Sequence, residues 1–253
     1  MLDVLISPPG ASDTKVGVGV PASYGAAADP TLDRIRKLLA KAEATPFEEE
    51  ASTYTAKAQV LMTRHAIDQA LVDHPETADV PRMMRLPVDA PYSDAKASLL
   101  SAVALANRCR VVLLQDLAMC SVLGHAGDLA AVELLFTSLL VQAQQALAEA
   151  GRNNNWGRRG RQPSFRASFL VAYAGRIGER LTSANADVLG DSGSGAALPV
   201  LRSREDAVEE FMHERYSDTL VGSGVRGGWD LVGSAAGRQA ADLAKLDSGE
   251  LLW

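Results

Sequence analysis

Two helix starts in quick succession, each a polar residue followed by proline, constrain this chain more than anything else in it. In the first, Asp29 is placed to cap and Pro30 occupies the first helical position, where a missing N–H costs nothing. Leu32, Ile35, Leu38, Leu39 and Ala42 then recur at helical spacing on one face. Arg34, Arg36, Lys37 and Lys41 fill the rest, mostly toward the end where the helix dipole favours cations. Thr45-Pro46-Phe47-Glu48 is a capping box, so a second helix is expected to start there. Its apolar face reads Phe47, Ala51, Tyr54, Ala58, Leu61, Met62 and His65. Neither helix can bury its stripe alone, so the pair is predicted to form a hairpin packed on itself and on something further along the chain.

The order Lys37-Leu38-Leu39, Glu50-Ala51, Ala58-Gln59, Leu61-Met62 and His65 resembles a bacterial and phage domain-of-unknown-function family, numbered 2786, over about residues 31 to 72. Later segments resemble the region that usually follows that domain: Pro91-Tyr92 through Val112, Phe165 through Leu181, and Ala236-Gly237-Arg238. The resemblance implies a bacterial or phage protein. It implies no activity, because the family brings none.

With 253 residues and 47% apolar content, the chain can build a sizeable core as one large domain or two small ones. Aromatics are only 5% and the apolar set is mostly alanine and leucine, which favours helices over a β-sandwich. A formal charge of −6 argues against a protein coated in nucleic acid while allowing a local basic patch. Cys109 and Cys120 are the two cysteines, which rules out a disulfide scaffold and a four-cysteine zinc site. Met1 to Ile6 lacks the basic start and longer apolar core of a signal peptide, and no uninterrupted apolar run reaches the roughly 18 residues of a membrane helix. The expectation is a cytoplasmic protein without a membrane partner.

The organisation reads as a flexible lead-in over 1–28, a helical-hairpin module over 29–73, a proline-containing linker or edge strand over 74–92, and a helix-rich α+β domain over 93–253. Arg82 to Val88 is the edge-strand candidate, since Pro87 is tolerated only at an edge. Ser93 starts a mostly apolar helix. Cys109 to Leu114 and Ala118 to Leu123 read as a strand pair with Gln115-Asp116 as the turn, which sets Cys109 opposite Val122; a turn one residue earlier sets the cysteines opposite each other. Buried, reduced thiols are expected. Residues 128–150 form the most apolar helix, with Gly151 at its end. The next helix, about 164–182, carries Phe165, Phe169, Tyr173 and Ile177 inward, with Ala174 and Gly178 allowing close approach of a neighbour. Ala197 to Leu201 reads as a short edge strand. Ser203 then opens a helix with Val208, Phe211, Met212 and Tyr216 inward, and a final helix spans about 229–246. The predicted fold is α+β and strongly helical: the N-terminal hairpin plus long helices covering a small antiparallel sheet of two to four strands.

The strongest functional signal is a basic loop. Arg152, Arg158, Arg159, Arg161 and Arg166 fall in a stretch without an acidic residue, leaving −11 on the rest of the chain. Arginines contact phosphates, and Trp156 within the same stretch offers a stacking face for an unpaired base. Arg34, Lys37 and Lys41 on the first helix would extend that surface. The plainer reading is a solvated linker paired with acidic surface elsewhere.

Other motifs carry less. Gly222-Ser223-Gly224-Val225-Arg226-Gly227 fits the spacing of a dinucleotide-binding turn but lacks its strand–helix–strand context. Gly190 to Gly195 resembles the serine-nucleophile loop of chymotrypsin-like proteases, without the β-barrel or the oriented base that chemistry requires. His213-Glu214 has no second histidine one turn on, and His65 with Glu50, on nearly one helix face, would need a third ligand from elsewhere in the chain. No metal or cofactor is assigned. Three readings follow: a binding module without catalysis, whose partner is nucleic acid or protein; an enzyme assembled from Glu50, His65, Asp116 and His213; or an assembly protein using helices 128–150 and 164–182 as an oligomer interface.

Overall fold

A computed structural model describes residues 4–6, 30–45, 48–72, 80–152, 158–190, 197–216, 221–223 and 230–244. The predicted hairpin is there. Helix α1 (Pro30–Ala44) buries Ile35, Leu39 and Ala42 and packs on α2 (Glu48–Val72). At the connection Thr45 Oγ1 donates to Glu50 Oε2 at 2.9 Å, and the box residues Pro46 and Phe47 lie outside the described residues. Helix α2 differs from expectation in its buried face. Thr55, Ala56, Ala58, Gln59, Met62, Thr63, Ala66 and Ile67 are enclosed, so a polar row at intervals of four faces inward beside the apolar one.

The sheet runs in the order β2-β4-β3-β1-β5. Strand β1 (Val4–Ile6) pairs parallel with β3 (Arg110–Leu114), and β5 (Val221–Ser223) closes the far edge antiparallel to β1. The other pairs, β2 (Arg82–Pro87) with β4 (Met119–Gly124) and β4 with β3, are antiparallel. The small antiparallel sheet is thus extended by one parallel strand, drawn from the stretch expected to be a flexible lead-in. The short apolar run Val4-Leu5-Ile6 suffices for a strand once β3 offers its edge. Strand β2 is the edge strand that Pro87 demanded.

The β3–β4 turn is longer than the expected Gln115-Asp116. A 3-10 turn over Gln115–Leu117 leads into Ala118 at φ 49°, the left-handed residue that closes it. Leu113 therefore faces Cys120 and Leu114 faces Met119, so the cysteines are not opposite each other. Both are buried and free. Burial pushes the Cys109 thiol well up, with the Asp128 carboxylate adding to it, and pushes Cys120 up to about 12. Neither thiol is expected to react with an aromatic disulfide reagent at neutral pH in the native state, and both should react in denaturant. Rapid native reaction of either one would show that its strand opens.

The two faces of the sheet pack differently. Val111, Leu113, Cys120, Val122 and Leu86 join the main core with α3 (Ser93–Ala106), α4 (Ala126–Arg152) and α5 (Pro163–Gly190). Val112 and Leu123 on the opposite face meet Val208 and Met212 of α6 (Leu198–Tyr216), with Phe211 and Tyr216 half-buried beside them. Residues 197–201 are thus not a strand. Pro199 sits in the first turn of α6, where proline suits a helix start, and Ser203 lies inside the helix. Helix α4 has the length and hydropathy of a membrane-spanning segment by composition alone. Its apolarity has a use inside the fold, where Val132, Leu135, Phe136, Leu139, Ala143 and Leu147 are all buried.

Helix α5 starts at Pro163 and runs eight residues beyond the expected end, to Gly190. Phe165, Phe169, Tyr173 and Ile177 line its buried face as the spacing predicted, and Gly178 brings Ala102 of α3 close: a Cβ there would lie 3.3 Å from the Ala102 methyl. Helix α7 (Leu231–Leu243) crosses α5 more closely still, through Gly233 and Gly237. Among the described residues, none of the exposed large hydrophobics lies on α4 or α5, so the stripes considered for an oligomer interface serve this chain's own core.

Candidate functional site

The basic stretch divides into arginines with different fates. Arg152 ends α4 and is exposed, and so are Arg158, directly before the 3-10 turn Arg159–Arg161 that leads into α5, and Arg161, the last residue of that turn. None of these three has an acidic partner among the described residues. Gly160 at the centre of the turn is buried, so the turn lies against the protein through its backbone and sends its side chains outward. Trp156 lies outside the described residues. Arg166 is half-buried on α5, its Nε enclosed without an acceptor.

Arg159 is engaged. Its Nε donates to Asp230 Oδ2 at 3.2 Å, across to the start of α7. Asp230 is the N-cap of α7: its Oδ1 accepts from the Gly233 N–H at 2.8 Å, and its own N–H donates to Ser168 Oγ on α5 at 2.9 Å. The Gly233 N–H first, and then the Arg159 guanidinium, hold the Asp230 carboxyl below the usual carboxylate range. The sequence carries a signal for this residue that the basic loop overshadowed: an aspartate directly before the apolar-periodic run Leu231-Val232 is a helix start. Nothing local says which arginine it meets.

The basic residues of the hairpin are outward. Arg34 and Lys37 are exposed, and Lys41 is exposed with its Nζ 5.6 Å from the centre of the Tyr54 ring, a cation–π contact. Arg36 beside them pairs with Asp33 at 2.7 Å.

The four residues considered as a dispersed catalytic set do not gather. Glu50 is exposed at the first turn of α2, Asp116 is exposed in the β3–β4 turn, and His213 is exposed on α6, 3.5 Å from Glu209 of its own helix. His65 lines a small pocket with room for about one water, and its neighbours there include His125, Asp128 and Arg204. His125 Nε2 lies 3.4 Å from the Arg204 carbonyl, and Asp128 pairs with Arg108 at 2.7 Å. These contacts tie the start of α4 to α6 and to the residue after the cap of α3, and the pocket they line lies where His65 of α2 meets them. Among the described residues, no group of three or more metal-ligating side chains comes together.

A second set of polar contacts seats the hairpin. Gln59 Nε2 donates to Asn185 Oδ1 at 2.9 Å and to Asn107 Oδ1 at 3.3 Å, and Thr63 Oγ1 donates to Asn185 Oδ1 at 2.8 Å. Asn185 Nδ2 and Asn107 Nδ2 in turn donate to the carbonyls of Ala106 and Val103 near the end of α3. Gln59 and Thr63 of the buried polar row are thus docked on α5 and on the cap of α3 by hydrogen bonds that specify the register of α2.

No curated protein and no solved structure matches the chain. Residues 31–69, which are α1 and most of α2, match the family model described as a protein of unknown function, DUF2786.

Proposed function

We propose that this chain is a nucleic-acid-binding module that acts without catalysis in the cytoplasm, with the surface around the start of α5 as its contact. One observation carries the reading: Arg152, Arg158 and Arg161 stand exposed without an acidic partner among the described residues, in a protein of net charge −6. A protein of that charge repels a polyanion over most of its surface, so unneutralised arginines clustered in sequence mark where a phosphate backbone can approach. The guanidinium's fork of donors fits a phosphate, and Arg158 with Arg161 at the end of the 3-10 turn presents two of them from one short segment. Arg34, Lys37 and Lys41 supply further positive charge from the hairpin. Free, buried cysteines fit a reducing compartment.

The test is fluorescence anisotropy with labelled single-stranded and duplex DNA and RNA, at low and near-physiological salt, comparing the protein with its Arg152→Ala/Arg158→Ala/Arg161→Ala variant. Binding should fall steeply with salt. On single strands the triple variant should flatten the slope of log K against log salt by about 2, since each phosphate no longer neutralised lowers it by about 0.7. Affinity indifferent to salt, or an unchanged slope in the variant, removes this surface from the reading. In that event a protein partner becomes the better account.

A further inference from the structure

The arginines of the α5 turn are treated unequally by the fold. Arg158 and Arg161 meet no carboxylate among the described residues, while Arg159 between them is bound to Asp230. That carboxylate is firmly placed. It is 8% exposed, takes the Gly233 N–H as the cap of α7, and belongs to a residue whose own N–H is held by Ser168 Oγ. Arg159 by contrast is 53% exposed and uses only its Nε in the pair, so its head reaches from the same surface as its neighbours.

The cap alone does not require a charge. Asparagine and serine cap helices about as well as aspartate does. What aspartate adds is a fixed anion at the edge of a cationic surface. A neutralised pair releases no counterion when a phosphate arrives, so Arg159 in this state adds nothing to the electrostatic term of binding. For Arg159 to reach a phosphate it must leave a buried carboxylate uncompensated, which opposes the exchange.

We propose that Asp230 is an internal competitor of nucleic-acid phosphate for Arg159, an autoinhibitory anion that withholds one cation from the binding surface and so sets its strength. The inference rests on the nucleic-acid reading given above. It makes the start of α7 part of the control of that surface as well as part of the core.

Asp230→Asn removes the charge and keeps the capping oxygen. In an anisotropy titration with a labelled single-stranded oligodeoxynucleotide over a series of salt concentrations, Asp230→Asn is expected to bind several-fold more tightly at low salt. Its slope should steepen by about 0.7, the value for one further phosphate neutralised. Adding Arg159→Ala to Asp230→Asn should return affinity and slope to those of the unmodified protein. Asp230→Ser, which also caps, replaces the asparagine variant should the amide lower the helical circular dichroism. An unchanged slope in the charge-removed variant overturns the inference while leaving the binding surface standing, and so does a gain that survives Arg159→Ala. Absence of salt-dependent binding by the unmodified protein overturns the binding surface and the inference together.

Discussion

Gly237→Ala is expected to loosen α7 from α5 and to lower stability by about 2–4 kcal/mol, the range of severe overpacking. A methyl group at Gly237 would run into the carbonyl oxygen of Phe169, and one at Gly233 would come within 2.5 Å of the Phe165 carbonyl oxygen. The obstacles are backbone atoms of a helix whose Phe165, Phe169 and Tyr173 side chains are wholly buried, so nothing flexible is available to yield. Other contacts pin the same crossing: Arg180 Nη1 donates to the Ala241 carbonyl and Arg176 pairs with Asp242. Alanine does gain about 1 kcal/mol over glycine in helix propensity, and that gain must be overcome for the prediction to hold. Gly175→Ala isolates it, because a Cβ at Gly175 of α5 meets nothing within 4 Å. Urea denaturation of the two variants should therefore give shifts of opposite sign. A Gly237→Ala protein as stable as Gly175→Ala would mean that α7 is held at a distance the glycines do not set.

The elements legible in the sequence are those whose signal is local. The hairpin is readable because proline, capping residues and apolar spacing agree on the same boundaries, and the row Phe165, Phe169, Tyr173, Ile177 is readable because a one-sided helix repeats its signal at every turn. Residues 197–201 mislead because a short run of alanine, leucine and valine around a proline suits an edge strand and a helix start alike. Strand β1 escapes notice because three residues carry no periodicity, and only the open edge of β3 makes them a strand. The buried row Thr55, Gln59, Thr63 falls off the expected apolar face for a related reason. The partners of Gln59 and Thr63, Asn107 and Asn185, are far away in sequence, and a polar side chain looks exposed until its partner is known.

The candidate site shows the same division. Its arginines are evident from charge alone, since a run of them without acid stands out in an acidic chain. Which of them are free is not evident, because the pairing of Arg159 with Asp230 spans the whole of α5 and α6 and depends on how α7 crosses α5. Close approach at Gly233 and Gly237 brings the start of α7 beside Ser168 and the turn before α5, and that packing selects Arg159. Charge inventory is thus a property of sequence here, while charge availability is a property of the fold.

Asp128→Ala is expected to cost about 3–5 kcal/mol, the range for stripping one partner from a buried ion pair. Asp128 in the first turn of α4 and Arg108 are 8% and 13% exposed and meet at 2.7 Å. Arg108 occupies the residue after the cap of α3 at φ 59°, a left-handed position that helices commonly fill with glycine. An arginine there accepts backbone strain of about 1–2 kcal/mol, and the pair with Asp128 is the described contact that offsets it. Removing the carboxylate leaves a guanidinium enclosed, with its Nε already lacking an acceptor, and withdraws negative charge from the positive end of α4. Arg108→Gly in the Asp128→Ala background relaxes the backbone and removes the orphaned charge, so the double variant should recover most of the stability despite carrying more changes. Chemical denaturation of the single and double variants decides it. A single-variant cost below about 1 kcal/mol would place the pair among solvent-screened surface contacts, and the left-handed arginine would then be without a described reason.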